Sequence, residues 1–266
     1  MSILSGKVAL VTGATKMKGL GKAVADKLVA AGATVVVTGR EKSMPGAEEV
    51  VASLKAAGGE AMAVSVDVSY PEQVTAAVEA VTKAYGGVDI LVNNAGIGAG
   101  SPNLLENTDR DWDANYAVNV KGTFALCAGV IPSMEARGGG SIVNVASLAG
   151  VGASVGMPYP YIATKHALVG ATKALALEFA SKGIRANVVA PGAIATDMLQ
   201  TAYEAIASAN NISVEEAAAL ENSGIPIGRP AEPSEIADTI VYLASPAASY
   251  VTGITVPIAG GMSAGI

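Results

Sequence analysis

A tyrosine and a lysine stand four residues apart in a stretch that otherwise has the Ala- and Leu-rich composition of a helix. The stretch is PYPYIATKHALVG, and the pair is Tyr161 and Lys165. Residues four apart on a helix share one face, with Cβ atoms about 6 Å apart. A nearby ammonium favours a phenolate and lowers the phenol pKa. The spacing predicts a tyrosine that exchanges a proton with a bound oxygen atom, although solvated surface pairs often have the same spacing.

A serine stands at the end of an apolar run, GSIVNVAS at residues 140–147. Open α/β sheets bind their ligands at the carboxyl ends of the strands, so Ser147 is predicted to lie beside the substrate. Its hydroxyl would hydrogen-bond the substrate oxygen and stabilise charge that develops there. The alternative is a serine that only caps the turn after the strand.

The elements that must position these residues follow from alternating apolar runs and helical periods. Strands are predicted at residues 8–13, 34–39, 61–68, 88–96, 140–147, 185–192 and 254–258. Helices are predicted at 19–32, 45–57, 109–136, 161–182, 198–208, 213–222 and 233–244, with another between Ser69 and Tyr85. Ser69 with Glu72, and Ser213 with Glu216, have the spacing of capping boxes.

This alternation predicts an α/β fold with one Rossmann-like, doubly wound domain over residues 1–266. Its seven-stranded sheet is expected to be mostly parallel, with helices on both faces. The segment between Pro191 and Arg229 is too long for an ordinary connection. Residues 193–228 are therefore predicted to form a substrate lid.

The composition excludes several classes of protein. The chain has 266 residues, 51% hydrophobic and 15% charged, with a net charge of −6 and no basic run, which argues against disorder and nucleic-acid binding. The N-terminus lacks signal-peptide features, and apolar stretches are interrupted before a membrane-spanning length. With one cysteine, a cytoplasmic protein is expected.

Metal chemistry is not expected, because one histidine and one cysteine cannot form a zinc site. That histidine, His166, is predicted to be partly buried or to lie at an interface.

A glycine-rich turn, TGATKMKGLG at residues 12–21, joins the first strand to the first helix. Glycines there allow a sharp turn and close approach to a pyrophosphate, while the helix N-terminus supplies free N–H groups. Such a turn alone is a weak signal, but its place in the first βα unit favours dinucleotide binding. The predicted contacts are Gly13, Thr15, Lys18, Gly19, Leu20 and Gly21.

The end of the second strand indicates which dinucleotide is bound. An acidic residue there would bind the ribose 2′-hydroxyl of NAD, whereas this strand ends in TGRE, with Arg40. Arg40 and Lys18, with Lys16 nearby, are cations that neutralise a 2′-phosphate. NADP(H) is therefore the predicted cofactor and NAD(H) the alternative. Glu41 beside Arg40 argues weakly against this choice, and Arg40 and Lys18 are otherwise solvated surface cations.

Further motifs stand in order along the chain. They are Thr12–Gly21, Asp67, NNAG at 93–96, NVKGTF at 119–124, Ser147 with LAG, Tyr161 with Lys165, PG at 191–192, TDM at 196–198 and YVTG at 250–253. With these motifs, nearly the whole chain resembles the short-chain dehydrogenase/reductase family. One departure is the glycine loop, because Gly13 and Gly19 enclose five residues where the family has three.

The resemblance implies roles for individual residues. The catalytic set would be Asn119, Ser147, Tyr161 and Lys165, with Lys165 also holding the nicotinamide ribose. Asn119 would hold a water that passes protons onward, although Asn119 otherwise fits a solvated helix face. The remaining cofactor contacts would be Asp67, Val68, Asn93, Ala95 and Gly96 on the adenine side, and Pro191, Gly192, Ile194 and Thr196 at the nicotinamide.

The predicted reaction is hydride transfer between a nicotinamide and a carbonyl carbon, by a carbonyl reductase or secondary alcohol dehydrogenase. Substrate contacts are predicted from Leu148, from 151–158 including Met157, and from the lid at Met198. These apolar residues favour a neutral, fairly hydrophobic ketone or alcohol.

Two alternatives stay open: an NAD-dependent dehydrogenase of a sugar, polyol or hydroxy acid, and a catalytically silent NADP(H)-binding regulator. The helices at 109–136 and 161–182 are Ala- and Val-rich, and they predict a homotetramer.

Overall fold

A seven-stranded parallel sheet forms the centre of the protein. The computed structural model describes residues 2–152 and 156–262, so part of the predicted substrate segment, at 153–155, lies outside the described residues. The strand order is β3-β2-β1-β4-β5-β6-β7. The strands are β1 (Val8–Val11), β2 (Thr34–Gly39), β3 (Ala61–Ser65), β4 (Ile90–Asn93), β5 (Gly140–Val145), β6 (Ile184–Pro191) and β7 (Thr255–Ile258).

Helices cover both faces of this sheet, which confirms the predicted doubly wound α/β fold. They are α1 (Leu20–Ala30), α2 (Met44–Ala56), α3 (Pro71–Tyr85), α4 (Asp109–Asn115), α5 (Thr123–Ala136), α6 (Tyr159–Phe179), α7 (Asp197–Asn210), α8 (Val214–Ser223) and α9 (Pro233–Ala244). Helices α1, α2 and α9 pack on one face of the sheet. Helices α3 and α5 and the end of α6 pack on the other.

The strand sequences reflect this two-sided cover. Every residue of β1 and β4 is buried, so these strands are continuous apolar runs rather than alternating ones. The edge strand β7 is only half buried and tolerates Pro257, which cannot donate to a further strand. The chain reverses its winding at β1, which pairs with both β2 and β4. That reversal opens a crevice at the carboxyl ends of β1 and β4.

One of the two predicted capping boxes is wrong. Helix α3 begins at Pro71 without a side-chain cap, and the Ser69 hydroxyl instead donates to the Asp67 carboxylate at 2.6 Å. Proline at the first helical position needs no N–H partner, and Asp67 is a charged acceptor close to Ser69. The box of Ser213 and Glu216 is confirmed at the start of α8.

A buried carboxylate anchors the end of the sheet opposite the crevice. Asp89, only 3% exposed, accepts from Arg137 Nε at 3.1 Å and Nη2 at 2.7 Å, from the Val8 N–H at 2.9 Å and from Lys7 Nζ at 3.1 Å. Burial raises the pKa of Asp89, but the hydrogen bonds from Arg137, Val8 and Lys7 together hold that pKa below its ordinary value.

We expect Asp89→Asn to lower the free energy of unfolding at pH 7 by about 2–3 kcal/mol, because Arg137 and Lys7 lose their charged partner while staying partly hydrated. Since the folded pKa is lowered, this stabilisation is complete above about pH 4 and is lost as the pH falls through the folded value. Urea unfolding of both proteins across this pH range should show the difference shrinking in acid. Asp238→Asn, which breaks the exposed pair with Lys27, is the control and should change little.

One helix in the described part of the chain is long and apolar enough to cross a membrane by length and composition alone. It is the continuous helix Asp109–Ala136, with a window of mean hydropathy 1.2. Its inward face, including Leu126, Val130 and Met134, belongs to the core beneath the sheet. The helix also contains a π-helical stretch, Tyr116–Gly122, between α4 and α5.

Candidate active site

Ser147 and Tyr161 meet at the carboxyl end of β5. Ser147 follows that strand, and Tyr161 lies in the first turn of α6. The Ser147 hydroxyl lies beside the Tyr161 phenol and lowers the pKa of that phenol. The same Ser147 oxygen accepts from the Ala149 N–H at 3.2 Å, as a cap of the short turn Leu148–Gly150. The serine caps the turn after the strand, as one of the two alternatives expected, and its hydrogen bond to a substrate oxygen stays a prediction.

The pKa of Tyr161 moves in the opposite direction to the prediction. Burial raises this pKa, and the nearby Ser147 hydroxyl lowers it only in part, so the net shift is upward. The predicted net lowering of this pKa is wrong, because the loss of hydration outweighs the attraction of the Lys165 ammonium for a phenolate. The Lys165 ammonium lies 5.5 Å from the ring centroid and donates instead to the Val145 carbonyl at 2.9 Å. Tyr161 is therefore protonated at neutral pH and suited to act as an acid.

Lys165 is a buried cation one helical turn beyond Tyr161. Its side chain is 5% exposed, and burial lowers its pKa to about 8. Two glycines make room for it. A Cβ at Gly96 would lie 3.4 Å from Lys165 Nζ, and a Cβ at Gly150 would lie 2.8 Å from the Lys165 carbonyl oxygen. Close approach of these backbones keeps the amine at the end of β5.

Asn119 is buried inside the π-helical stretch and does not lie on a solvated helix face. Its side chain accepts from the Ile97 N–H at 2.9 Å and donates to the Ile97 carbonyl at 2.8 Å. It also donates to Thr164 Oγ1 at 3.1 Å. These bonds tie the segment after β4 to α6 beside Lys165. The water-binding role implied by the resemblance stays a prediction.

The glycine loop has the shape that a dinucleotide pyrophosphate requires. Gly13 has φ +68°, and a Cβ there would lie 3.0 Å from Ala95 Cα. Gly19 starts α1 with no side-chain cap, and the first turn of α1 contains no acidic residue. A Cβ at Gly21 would lie 2.8 Å from Ala14 Cα, so α1 packs tightly on the loop. Uncapped N–H groups without nearby negative charge favour an anion, and the residues fit the cofactor.

Thr12 and Asn94 stand in the motifs but were not predicted as site residues, and they join the strand ends at the crevice. Thr12 Oγ1 accepts from the N–H groups of Asn94 at 3.0 Å and Ala95 at 2.9 Å. The Asn94 amide donates to the Thr12 carbonyl at 2.8 Å. The available signal was a pair of polar residues directly after the apolar runs of the two central strands.

The glycine loop, in which five residues separate Gly13 from Gly19, packs against the turn from β2 to α2. A Cβ at Gly39 would overlap the Thr15 side chain, and a Cβ at Gly46 would overlap the Thr15 carbonyl. Thr15 is thus brought next to the turn that carries Arg40, whose side chain is exposed, as is that of Lys18. Lys16 Nζ lies 3.8 Å from Asp197 Oδ2 at the start of α7, so the Lys16 side chain faces the predicted lid.

The side chains of the predicted adenine-side residues make different contacts within the protein. The Asp67 carboxylate accepts from Ser69 within its own turn, and Val68 is buried against Gly122. The Asn93 amide donates to Asn144 Oδ1 at 2.8 Å inside the sheet layer, and Asn93 Oδ1 is buried without a hydrogen-bond partner among the described residues.

The predicted nicotinamide residues follow β6. Pro191 is buried at the strand end, and the Gly192 N–H donates to the Ile258 carbonyl at 2.9 Å. Ile194 forms an isolated bridge with Ala231, and the Thr196 hydroxyl donates to the Ile194 carbonyl at 3.3 Å.

The predicted substrate residues are accessible to different degrees. Leu148 is half-buried next to Ser147, whereas Met157 is 41% exposed and Met198 is 74% exposed. His166, predicted to be partly buried or at an interface, is exposed in this chain and hydrogen-bonds the Ile162 carbonyl of its own helix.

The chain is similar to known proteins over nearly its whole length. The family described as enoyl-(acyl carrier protein) reductase matches residues 13–263. The 3-oxoacyl-(acyl-carrier-protein) reductase FabG of Vibrio cholerae is 38% identical over 259 residues, covering 97% of this chain and 98% of its own. L-Sorbose reductase from Gluconobacter frateurii, solved with NADPH and L-sorbose, is similar with a TM-score of 0.93 and 34% identity over 100% of both chains.

A variant of actinorhodin polyketide ketoreductase, solved with NADPH, has a TM-score of 0.90 and 38% identity over 97% of both chains. The predicted family and reaction class are confirmed by these matches, which extend over nearly the whole chain. The chain belongs to the short-chain dehydrogenase/reductase family and is an oxidoreductase that acts on CH–OH and C=O groups.

Proposed function

We propose that this enzyme is an NADP(H)-dependent carbonyl reductase, or a secondary alcohol dehydrogenase in the reverse direction. The observation that carries the proposal is the nearness of the Ser147 hydroxyl to the Tyr161 phenol, one helical turn from the buried Lys165. All three lie at the carboxyl end of the sheet, where α/β proteins bind their ligands.

Each residue of the site has a separate role in the proposed transfer of a hydride and a proton. A bound nicotinamide supplies or accepts the hydride. The Ser147 hydroxyl holds the carbonyl oxygen, and protonated Tyr161 donates its proton to that oxygen as negative charge develops. The phenolate left behind is stabilised by the nearby Ser147 hydroxyl and by the Lys165 ammonium. Asn119 holds the segment after β4 beside the amine.

The NADP(H) preference rests on the cations at the β2 end of the crevice. Arg40 is exposed directly after β2, and Lys18 is exposed in the loop seated beside it. The two similar enzymes solved with NADPH agree with this prediction. NAD(H) is the alternative cofactor, and the comparison of both cofactors described below separates them.

The proposed substrate is a neutral, fairly hydrophobic ketone or secondary alcohol. Leu148, Met157 and Met198 are the apolar residues that support it, with residues 193–228 as the proposed lid. The similarity to L-sorbose reductase favours a second candidate, a ketose or polyol.

A panel of carbonyl compounds tests the function directly. We would follow nicotinamide absorbance with NADPH and NADH against an aliphatic ketone, a cyclic ketone, a 3-oxoacyl thioester and a ketose. The proposal expects NADPH-dependent reduction with the greatest kcat/KM for an apolar ketone. A preference for the ketose would favour the second candidate. Tight NADPH binding without turnover of any carbonyl would favour a silent NADP(H)-binding regulator.

We also propose that the chain forms a homotetramer through α5 and α6. Leu177 on α6 is 85% exposed, and a Cβ at Gly170 on the same helix would meet open space, which supports a contact between subunits at this helix. Sedimentation equilibrium should give four chains per particle, and a monomer would contradict the proposal. The cytoplasmic location stays a prediction from the sequence.

A further inference from the structure

A carboxylate stands beside the cation that is proposed to bind the 2′-phosphate. Glu41 directly follows Arg40, and a free carboxylate there would pair with Arg40 or repel the phosphate. The structure holds this carboxylate elsewhere. The hydroxyl of Ser65, the last residue of β3, donates to Glu41 Oε2 at 2.8 Å.

The backbone makes this contact possible. Strands β2 and β3 are parallel neighbours, and their register places Ser65 opposite Gly39. Arg40 is extended, with φ −66° and ψ 156°, whereas Glu41 opens the short turn Glu41–Ser43. Arg40 therefore continues the extended backbone of β2, whereas Glu41 lies in the turn from which its side chain reaches Ser65. Among the ion pairs of residues 2–152 and 156–262, none joins Arg40 to Glu41.

We propose that Ser65 is a positioning residue for coenzyme specificity. Its hydrogen bond holds the Glu41 carboxylate on the β3 side of the turn, which leaves the Arg40 guanidinium available to a 2′-phosphate. This inference rests on the proposed use of NADP(H). It also explains how the chain tolerates an acidic residue that argues against that cofactor. Ser65 itself does not touch the phosphate and acts through Glu41.

Binding of two nucleotide probes measures the contribution of the 2′-phosphate to affinity without any reaction. Adenosine 2′,5′-bisphosphate contains the 2′-phosphate, and 5′-AMP lacks it. We expect Ser65→Ala to weaken binding of the bisphosphate roughly 3- to 10-fold while 5′-AMP binding is unchanged, since a released carboxylate in a screened, exposed site has a modest effect. The NADPH/NADH ratio of kcat/KM should fall by a similar factor.

Variants of Glu41 and Ser65 test whether Ser65 acts on phosphate binding through the Glu41 carboxylate. Glu41→Gln should bind the bisphosphate at least as well as the unchanged protein, because the negative charge is gone. The double variant S65A/E41Q should behave like Glu41→Gln alone, and Ser65→Thr, which keeps a hydroxyl, should restore the preference. A loss that persists in the double variant, or that affects both probes equally, would overturn the inference.

The two proposals fail in distinguishable ways. If Arg40→Asp abolishes the preference for the bisphosphate while Ser65→Ala leaves it intact, the role of Ser65 is refuted and the NADP(H) assignment stands. If Arg40→Asp leaves the preference intact, the roles of Arg40 and Ser65 are refuted, because Arg40 is then not the partner of the phosphate, and the NADP(H) assignment stands. If the unchanged protein shows no preference for the bisphosphate over 5′-AMP, the NADP(H) assignment itself is refuted.

Discussion

Tyr161→Phe is expected to lower kcat by a factor on the order of 10²–10⁴, because the substrate oxygen loses its proton donor. The phenyl ring keeps its packing near Gly98, where a Cβ would lie 3.5 Å from Tyr161 Cδ2. Affinity for NADPH should therefore change little. Steady-state kinetics with the best ketone of the panel, together with fluorescence titration of NADPH, measure the two quantities separately.

Tyr159→Phe is the matched control. Tyr159 is 43% exposed at the start of the same helix, and the residue four positions later is Ala163 rather than a lysine. Its variant should retain nearly full activity. A Tyr161→Phe enzyme with most of its turnover would remove Tyr161 from the proposed mechanism.

The pH profile gives an independent view of the same site. Burial lowers the pKa of Lys165 to about 8, so its ammonium is present below that pH and lost above it. The pKa of Tyr161 is raised, which keeps the phenol protonated through the same range. We expect kcat/KM for reduction to decline above about pH 8, as the cation that stabilises the phenolate disappears.

The second large effect is expected from Arg40→Asp. A guanidinium that binds a 2′-phosphate makes charge-assisted hydrogen bonds, and replacing it with a carboxylate adds repulsion. The kcat/KM with NADPH should fall by a factor of roughly 10–100, whereas the value with NADH should change little or rise. Kinetics with both cofactors at one fixed ionic strength measure the shift.

Lys42→Asp makes the same change in charge two residues further on. Lys42 is exposed within the turn that follows Arg40, and it is not among the predicted phosphate contacts. Its substitution should leave the NADPH/NADH ratio nearly unchanged. Equal changes of the NADPH/NADH ratio in both variants would mean that the total charge of the turn, rather than Arg40 itself, determines the cofactor preference.

Much of the fold could be predicted from short-range patterns. The continuous apolar run at β1 indicates a strand covered on both faces, and the structure has it buried throughout. The Ser213 and Glu216 pair capped α8 as predicted, because both partners lie within one turn of helix. Ser69 was predicted in the same way and failed, since Asp67 offered a better acceptor nearby.

The sequence by itself determined the order of the elements, the glycine loop and the residue types at the candidate site. Periodicity and i,i+4 spacing are local properties, so they can be read without knowing which distant residues meet. The tertiary structure decided that Ser147 reaches Tyr161, that burial raises the pKa of that tyrosine and that Ser65 holds Glu41. Desolvation and hydrogen bonds between separate strands depend on packing of the whole chain, which no short stretch of sequence contains.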